Sequence, residues 1–354
     1  MFRMSELGEI KLPRTSEDLL NLPDAYTKLD SGERFLVSAE MLHESVALVF
    51  LSDFGRRILK NSVDWCMDGT FSSKLKEFSQ LYVIFGSGGP PSSYVYPCAY
   101  ALLPNKESST YNHLFSVLLK ETEHTPKSIQ IDFEQSVIRA AHDVFGTDIS
   151  IKGCRFHRKK NLFRQVGQKG CLDLFHQDEN FQIGLDLIYC LDMVPPDDVV
   201  YAWTSVICPF FDEHFGEESS EVEDFLSYVE RVNIGRLNER TGRRKQPLFP
   251  IPTWNVFQRI MNDEPTTNNS VESWNARWNG NLGTNHNVLR VVTAFKQEDA
   301  LARTKFQQSL GGHTNPNPKQ TGRKELRLAE IKSMMQQYSK INIQEYLHKL
   351  RGDN

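Results

Sequence analysis

Three acidic residues stand in contexts suited to metal-ion chemistry. Asp68 lies in the alternating stretch SVDWCMDGTF, where Val63, Trp65 and Met67 share one side and Asp64, Cys66 and Asp68 the other. Asp132 ends the short apolar run SIQID. Glu272 lies in TTNNSVESWNARWN, which reads as a capped helix. On it Asn268, Glu272, Asn275 and Asn279 form a polar stripe, and Val271, Trp274 and Trp278 an apolar one that can pack on a sheet. Convergent carboxylates raise one another's pKa and cannot all stay charged and unpaired. Divalent cations relieve that conflict, and all-oxygen donors suit Mg²⁺ or Mn²⁺. Two ions ~3.5–4 Å apart can activate an attacking oxygen and stabilise a leaving one. Glu134 and Glu264 compete for the second and third roles; Asp132 is preferred for its place at a strand end, and Glu272 because Glu264 precedes Pro265 in a loop.

These positions need a scaffold. Residues 1–60 read as a mainly helical region, with Leu42, Val46, Ala47 and Phe50 on one face. From 61 the pattern turns to strands: the Asp68 run, then QLYVIFG, then YVYPCAYALL after a GSGGPPSS turn, with Pro97 at an edge or bulge. A helix capped by Ser108 or Ser109 follows, carrying Tyr111, Leu114, Phe115, Leu118 and Leu119 in a stripe. After the Asp132 strand come an amphipathic helix (Val137, Ala140, Ala141, Val144, Phe145) and the strand DISIKGC. The expected fold is α/β, a mixed sheet in the order β-β-β-α-β-α-β of a ribonuclease H-like core, with its first part at 61–169. Adjacent first and fourth strands would bring Asp68 and Asp132 together. Residues 170–262 read as a helical insertion, with Pro195-Pro196-Asp197 starting one helix and Ser220 and Glu223 forming a capping box. The basic connector 240–252 lies within it. Residues 263–310 return the catalytic helix to the core, and 311–354 hold a linker and a last helix.

The 354 residues are ordinary in composition, 39% hydrophobic and 24% charged, and allow two or three structural units. No run of eighteen apolar residues suggests a membrane span, and the N-terminus lacks the apolar core of a secretory signal. Six scattered cysteines suggest reduced thiols and no disulfide framework. The net charge of −4 hides a strong asymmetry: residues 170–230 hold 15 Asp and Glu and no Lys or Arg, whereas 231–354 carry 20 basic and 10 acidic groups. Repulsion from phosphate would keep the acidic face away from bound nucleic acid, or let it guard the site.

Residues 152–169 hold seven basic side chains and no acid. Arg155, Arg158, Lys159, Lys160 and Arg164 are the candidates to neutralise phosphate there. Arg240, Arg243, Arg244 and Lys245 form a second cluster that could track DNA, act as a weak nuclear address or simply connect. Cys154 and His157, followed by Cys171 and His176, have a spacing compatible with zinc, although a site-shaping role for the first pair is the commoner outcome. Trp274 and Trp278 read as core.

Taken in sequence, MDGTF, IDFEQS, GCRFHRKKNL and TNNSVESWN resemble the Mutator-like element (MULE) transposases over roughly residues 60–295. The resemblance implies that Asp68, Asp132 and Glu272 are the D-D-E ligands of two Mg²⁺ or Mn²⁺ ions, and that Cys154 and His157 are the family's C-x-x-H pair. It implies phosphodiester hydrolysis and strand transfer on transposon terminal inverted repeats and target DNA, by a homodimer or larger assembly; a nuclear location is expected. Members commonly carry a DNA-binding module ahead of the core. Here about 60 residues without cysteine precede the first expected strand, which leaves two alternatives: a truncated copy, or end recognition by the basic segments. The competing expectations are a catalytically silent transposase-derived DNA-binding or regulatory protein, and a nuclease of the same fold.

Overall fold

The structure, a computed structural model, describes residues 12–13, 15–70, 75, 78–89, 94–216, 219–266, 269–282, 287–311 and 322–352. The chain forms two compact units: Met1–Ile151 with Asn269–Pro316, and Lys152–Asn268 with Asn317–Asn354.

The first unit is built on a seven-stranded mixed sheet. Its strands are β1 (Leu36–Leu42), β2 (Ser45–Leu51), β3 (Asp64–Thr70), β4 (Gln80–Ser87), β5 (Val95–Leu103), β6 (Ser128–Ile131) and β7 (Ser150–Gly153). They lie in the order β1-β2-β5-β4-β3-β6-β7, and the boundary between the units falls within β7. The pairs from β1 to β3 along that order are antiparallel, whereas β3 and β6 are parallel. The helices of this unit are α1 (Asp53–Asn61), α2 (Ser108–Thr122), α3 (Gln135–Phe145), α4 (Asn269–Leu282) and α5 (Val288–Leu310), after two short helical turns. From β3 to β7 the element order is the expected β-β-β-α-β-α-β, and the mixed α/β architecture is compatible with a ribonuclease H-like fold.

Residues 36–51 correct the expectation of a mainly helical N-terminal region, because they form a hairpin. Alternation within β2 explains the misreading. Ala47, Val49 and Leu51 enter one core with Phe54 and Ile58 of α1, Tyr111, Leu114 and Phe115 of α2 and Val137 of α3. Val46, Leu48 and Phe50 enter another, with Val271, Trp274 and Trp278 of α4 and Val291 and Phe295 of α5. A strand buried on both faces is apolar throughout, so hydrophobic spacing does not separate it from a buried helix. The turn uses His43 at φ 58. Pro97 resolves to the bulge: β5 is flanked by β2 and β4, and the β4–β5 register shifts at Ile84/Phe85, opposite Pro97. The caps differ too. Glu107 precedes α2 and Ser219 precedes the helix Ser220–Val229, neither with a side-chain cap bond.

The second unit is mainly helical. It begins at Lys152 and not near 170, so the basic segment belongs with the expected insertion, as does the chain beyond 317. It holds 22 basic and 22 acidic side chains and is therefore neutral. The acidic block finds partners in the basic stretches flanking it in sequence: Arg155 with Asp192 (2.7 Å), Lys169 with Asp224 (3.6 Å), Arg244 with Glu230 (2.5 Å) and Lys340 with Asp198 (2.6 Å). Tyr346, on the last helix Ile343–Arg351, donates to the Met193 carbonyl at 2.6 Å. Among the described residues no helix is long and apolar enough to cross a membrane.

Close approach of α1 to β5 gives the fold a sharp test. A Cβ on Gly55 would lie 2.2 Å from the backbone oxygen of Cys98. Neither backbone can yield cheaply, so Gly55→Ala is expected to cost about 3 kcal/mol or more. Urea denaturation measures the cost, and an unchanged midpoint would contradict this packing.

Candidate active site

Asp68 and Asp132 meet because of strand register. β3 and β6 pair Asp64 with Ser128, Trp65 with Ile129 and Cys66 with Gln130. Continued two residues, that offset sets Asp132 level with Asp68, just past the end of β6. The start of the pair is fixed by the Ser128 hydroxyl, which donates to Asp64, and by Lys127 N–H donating to the Val63 carbonyl at 2.8 Å. Carboxylate oxygens of Asp68 and Asp132 lie within 4.8 Å of each other. Like charges this close repel by roughly 3 kcal/mol at an effective dielectric of about 20. The recess around them is lined by Met67, Asp68, Gly69, Tyr82, Asp132, Glu134 and Val137. Tyr82 registers the local charge: burial first, then Tyr111, Asp132, Glu134 and Asp68, push its phenol well above its usual range. Gly69 is small for a reason, since a Cβ there would sit 3.0 Å from Gln80 Oε1 and 3.2 Å from the Tyr82 ring.

Asp68 is also held from above the sheet. Asn275 of α4 donates its side-chain N–H to Asp68 Oδ2. α4 is pinned by its apolar stripe: Trp274 stacks on Trp278 at 4.9 Å and Trp278 on Phe295 at 5.4 Å. Trp274 Nε1 (2.8 Å) and Arg277 (2.6 Å) both donate to Glu298 on α5. The tryptophans are core, as their spacing suggested. Glu272 stands on α4 three residues before Asn275; its side chain lies outside the described residues. Of the two competitors, Glu264 belongs to the second unit and pairs with Lys152 at 3.1 Å. Glu134, in contrast, lines the same recess as Asp68 and Asp132.

The basic segment divides sharply. Arg158 is 2% exposed; it donates to the carbonyls of Ile188 and Tyr189 at 3.2 Å, capping the helix Glu179–Cys190, and lies over Trp254 at 4.3 Å. Arg155 makes a two-pronged pair with buried Asp192, at 2.7 and 3.1 Å. Lys159 lies over the Tyr189 ring at 5.0 Å, and burial lowers its pKa. The expectation that Arg155 and Arg158 neutralise phosphate is therefore corrected. Their charges are committed to Asp192 and to a helix end, where removing one partner typically costs about 3–5 kcal/mol. Lys160 and Arg164 do face solvent, beside Phe156 (47% exposed) and Phe163 (40%). In the second cluster Arg240, Arg243 and Lys245 are exposed, whereas Arg244 is tied to Glu230 and to the Gly235 carbonyl.

The expected zinc set is Cys154, His157, Cys171 and His176. Among the described residues no group of three metal-ligating side chains includes a cysteine. Cys154 is buried where the helix Arg155–Gln168 begins, and His157 lies on that helix's first turn. The Cys171 thiol donates to the Glu221 carbonyl at 3.3 Å, and burial with Glu221 and Asp224 nearby pushes it up to about 11.

Two partners escaped the reading by residue type. Asn275 was visible only as one member of a polar stripe, and Tyr111, which donates to Glu134 at 2.9 Å, sits in a stripe that looks purely apolar. Residues 64–161 match the family model described as the MULE transposase domain. The match takes in 98 of 354 residues and contains Asp68, Asp132, Cys154 and His157. A search of curated proteins gave no significant match.

Proposed function

We propose, from the premise that residues 64–161 are a MULE transposase domain, that this protein is a D-D-E DNA transposase, with Asp68, Asp132 and Glu272 as its metal ligands. The observation that carries the reading is the pair of carboxylates within 4.8 Å on adjacent parallel strands inside the matched segment. Their donor chemistry fits the implied cation. Both are hard oxygen ligands, and their mutual repulsion is relieved by a divalent ion. Two Mg²⁺ or Mn²⁺ ions, when bound, supply electrostatic stabilisation of a phosphodiester's developing charge.

The chain's own residues do the rest. Asp68 and Asp132 hold the negative side of the site, and Asn275 orients the Asp68 carboxylate. Water attacks a phosphodiester at an element end; the bond to the 3′ oxygen breaks, and that oxygen takes up a proton. The freed 3′-hydroxyl then attacks a target phosphodiester and gives up its proton as a second P–O bond breaks. Phosphate neutralisation is assigned to solvent-facing members of the basic segments, among them Lys160, Arg164, Arg243 and Lys245. Phe156 and Phe163 beside them offer faces for unpaired bases, a sequence-tolerant contact. The DNA comprises terminal inverted repeats and target, acted on by a homodimer or larger assembly in the nucleus.

Incubating the full chain with Mn²⁺ and pre-nicked inverted-repeat DNA is expected to give joined products. Asp68→Asn and Asp132→Asn should each lower the yield roughly 10²–10³-fold or more. Cleavage without joining would indicate a nuclease, binding alone a silent relative, and wild-type joining by Asp68→Asn would remove the metal assignment.

Duplex affinity against salt tests the DNA contacts separately. The pair Lys160→Glu, Arg164→Glu should flatten the slope of log K against log salt by about 1 per lost phosphate contact. Arg158→Ala should instead lower the unfolding free energy by about 3–5 kcal/mol. The opposite pattern would reverse the division made within this helix.

A further inference from the structure

We propose that the basic hairpin of residues 236–245 enters the major groove of duplex DNA, with Arg240 at its tip and Arg243 and Lys245 on one face. The proposal rests on the transposase reading for the identity of its ligand and gives that DNA a contact on the second unit. The two strands pair Leu237 with Arg244 and Asn238 with Arg243. The Lys245 N–H donates to the Arg236 carbonyl at 2.8 Å, which carries the pairing one step further from the turn. Successive residues of a strand alternate between faces, so Arg236, Arg243 and Lys245 share one face, and Leu237 and Arg244 the other. The ten residues hold five basic side chains and a single acid, Glu239.

The hairpin is fixed at its base and at its turn. Gly235, at φ 96, starts it, and a Cβ there would lie 2.0 Å from the Lys245 carbonyl oxygen. The Gly235 N–H donates to the Glu230 carbonyl at 2.6 Å, closing a π turn over Glu230–Ile234, a wide helical turn that recurs at functional sites. Arg244 donates to Glu230 at 2.5 Å and to the Gly235 carbonyl at 2.6 Å, and Arg236 donates to the Ser227 hydroxyl at 2.9 Å. At the turn, Asn238 Oδ1 accepts the N–H groups of Arg240 (3.1 Å) and Thr241 (3.2 Å), and Gly242 takes φ 66. The backbone is therefore preorganised, and the ordering cost of binding falls on side chains.

Its charges are left open where they could have been paired. Residues 170–230 hold 15 acids, yet among the described residues the side chains of Arg240, Arg243 and Lys245 are exposed and make no ion pair or hydrogen bond. Register sharpens the point: Arg236 and Lys245 stand opposite each other across the ribbon, and like charges so placed destabilise a hairpin on its own. Phosphate supplies the missing opposite charge. Dimensions choose the groove. Two strands lie ~4.8 Å apart before side chains are added, which suits a groove about 12 Å wide and excludes one of about 6 Å. Arg240 and Arg243, nearest the turn, are assigned to base edges, and Lys245, one step back, to a backbone phosphate.

The test is binding of the full chain to a mixed-sequence duplex, followed by fluorescence anisotropy. A second probe is the same duplex with every cytosine replaced by glucosylated 5-hydroxymethylcytosine, which fills the major groove and leaves the phosphates and minor groove in place. The double variant Arg240→Ala, Arg243→Ala should bind the ordinary duplex about tenfold or more weakly, with a thermal midpoint near wild type because both side chains are exposed. The unaltered chain should bind the glucosylated duplex with a similar loss, and the double variant should bind the two duplexes alike. Equal affinity of the unaltered chain for both duplexes, or wild-type affinity of the double variant for the ordinary one, would overturn the proposal. If Lys160→Glu, Arg164→Glu still weakened binding in that case, the transposase reading would stand. No duplex binding by the unaltered chain would overturn both.

Discussion

The parallel pairing of β3 with β6 is the constraint on which the rest depends. Its register, pinned by Ser128 on Asp64 and continued two residues beyond Cys66 and Gln130, sets two carboxylates side by side at the end of an otherwise apolar sheet. Parallel neighbours require a crossover, and here the intervening chain supplies two antiparallel strands and α2 before returning to β6. That detour also delivers Tyr111 and Gln80 to the side of the recess. A slip of one residue would turn every side chain of β6 to the opposite face, so the site and the core are specified together.

The second support is α4. It returns to the sheet after a long excursion in sequence and is held there by packing. The stack of Trp274, Trp278 and Phe295 fixes its rotation, while Glu298 collects both the Trp274 indole and the Arg277 guanidinium. Rotation fixed in this way is what lets Asn275 reach Asp68. The chemistry assigned to this helix thus rests on aromatic burial in the first unit.

Much of this was legible in the residues, and the exceptions have physical causes. Period-two and period-3.6 patterns between 64 and 153 identified strands and helices because each has one dominant buried face or a short bounded run. β2 was misread since a strand covered on both sides loses its alternation. The closeness of Asp68 and Asp132 was legible because adjacency followed from element order. Arg155 and Arg158 misled, because what buries a charge is a partner distant in sequence: Asp192 lies 37 residues beyond Arg155. The acidic block is explained in the same way. A stretch with no basic residue of its own pairs with basic residues on both sides of it, which neutralises the second unit and removes most of its force as an isolated repulsive face. Tyr111 was hidden by type, since it resembles a core aromatic.

The central claim is that the end of the β3–β6 pair is a divalent-cation site. Anomalous X-ray diffraction from crystals grown with Mn²⁺ addresses it directly. Anomalous peaks are expected between the carboxylates of Asp68 and Asp132, two of them ~3.5–4 Å apart when DNA is bound. Manganese density elsewhere in the chain, with none at this pair, would contradict it.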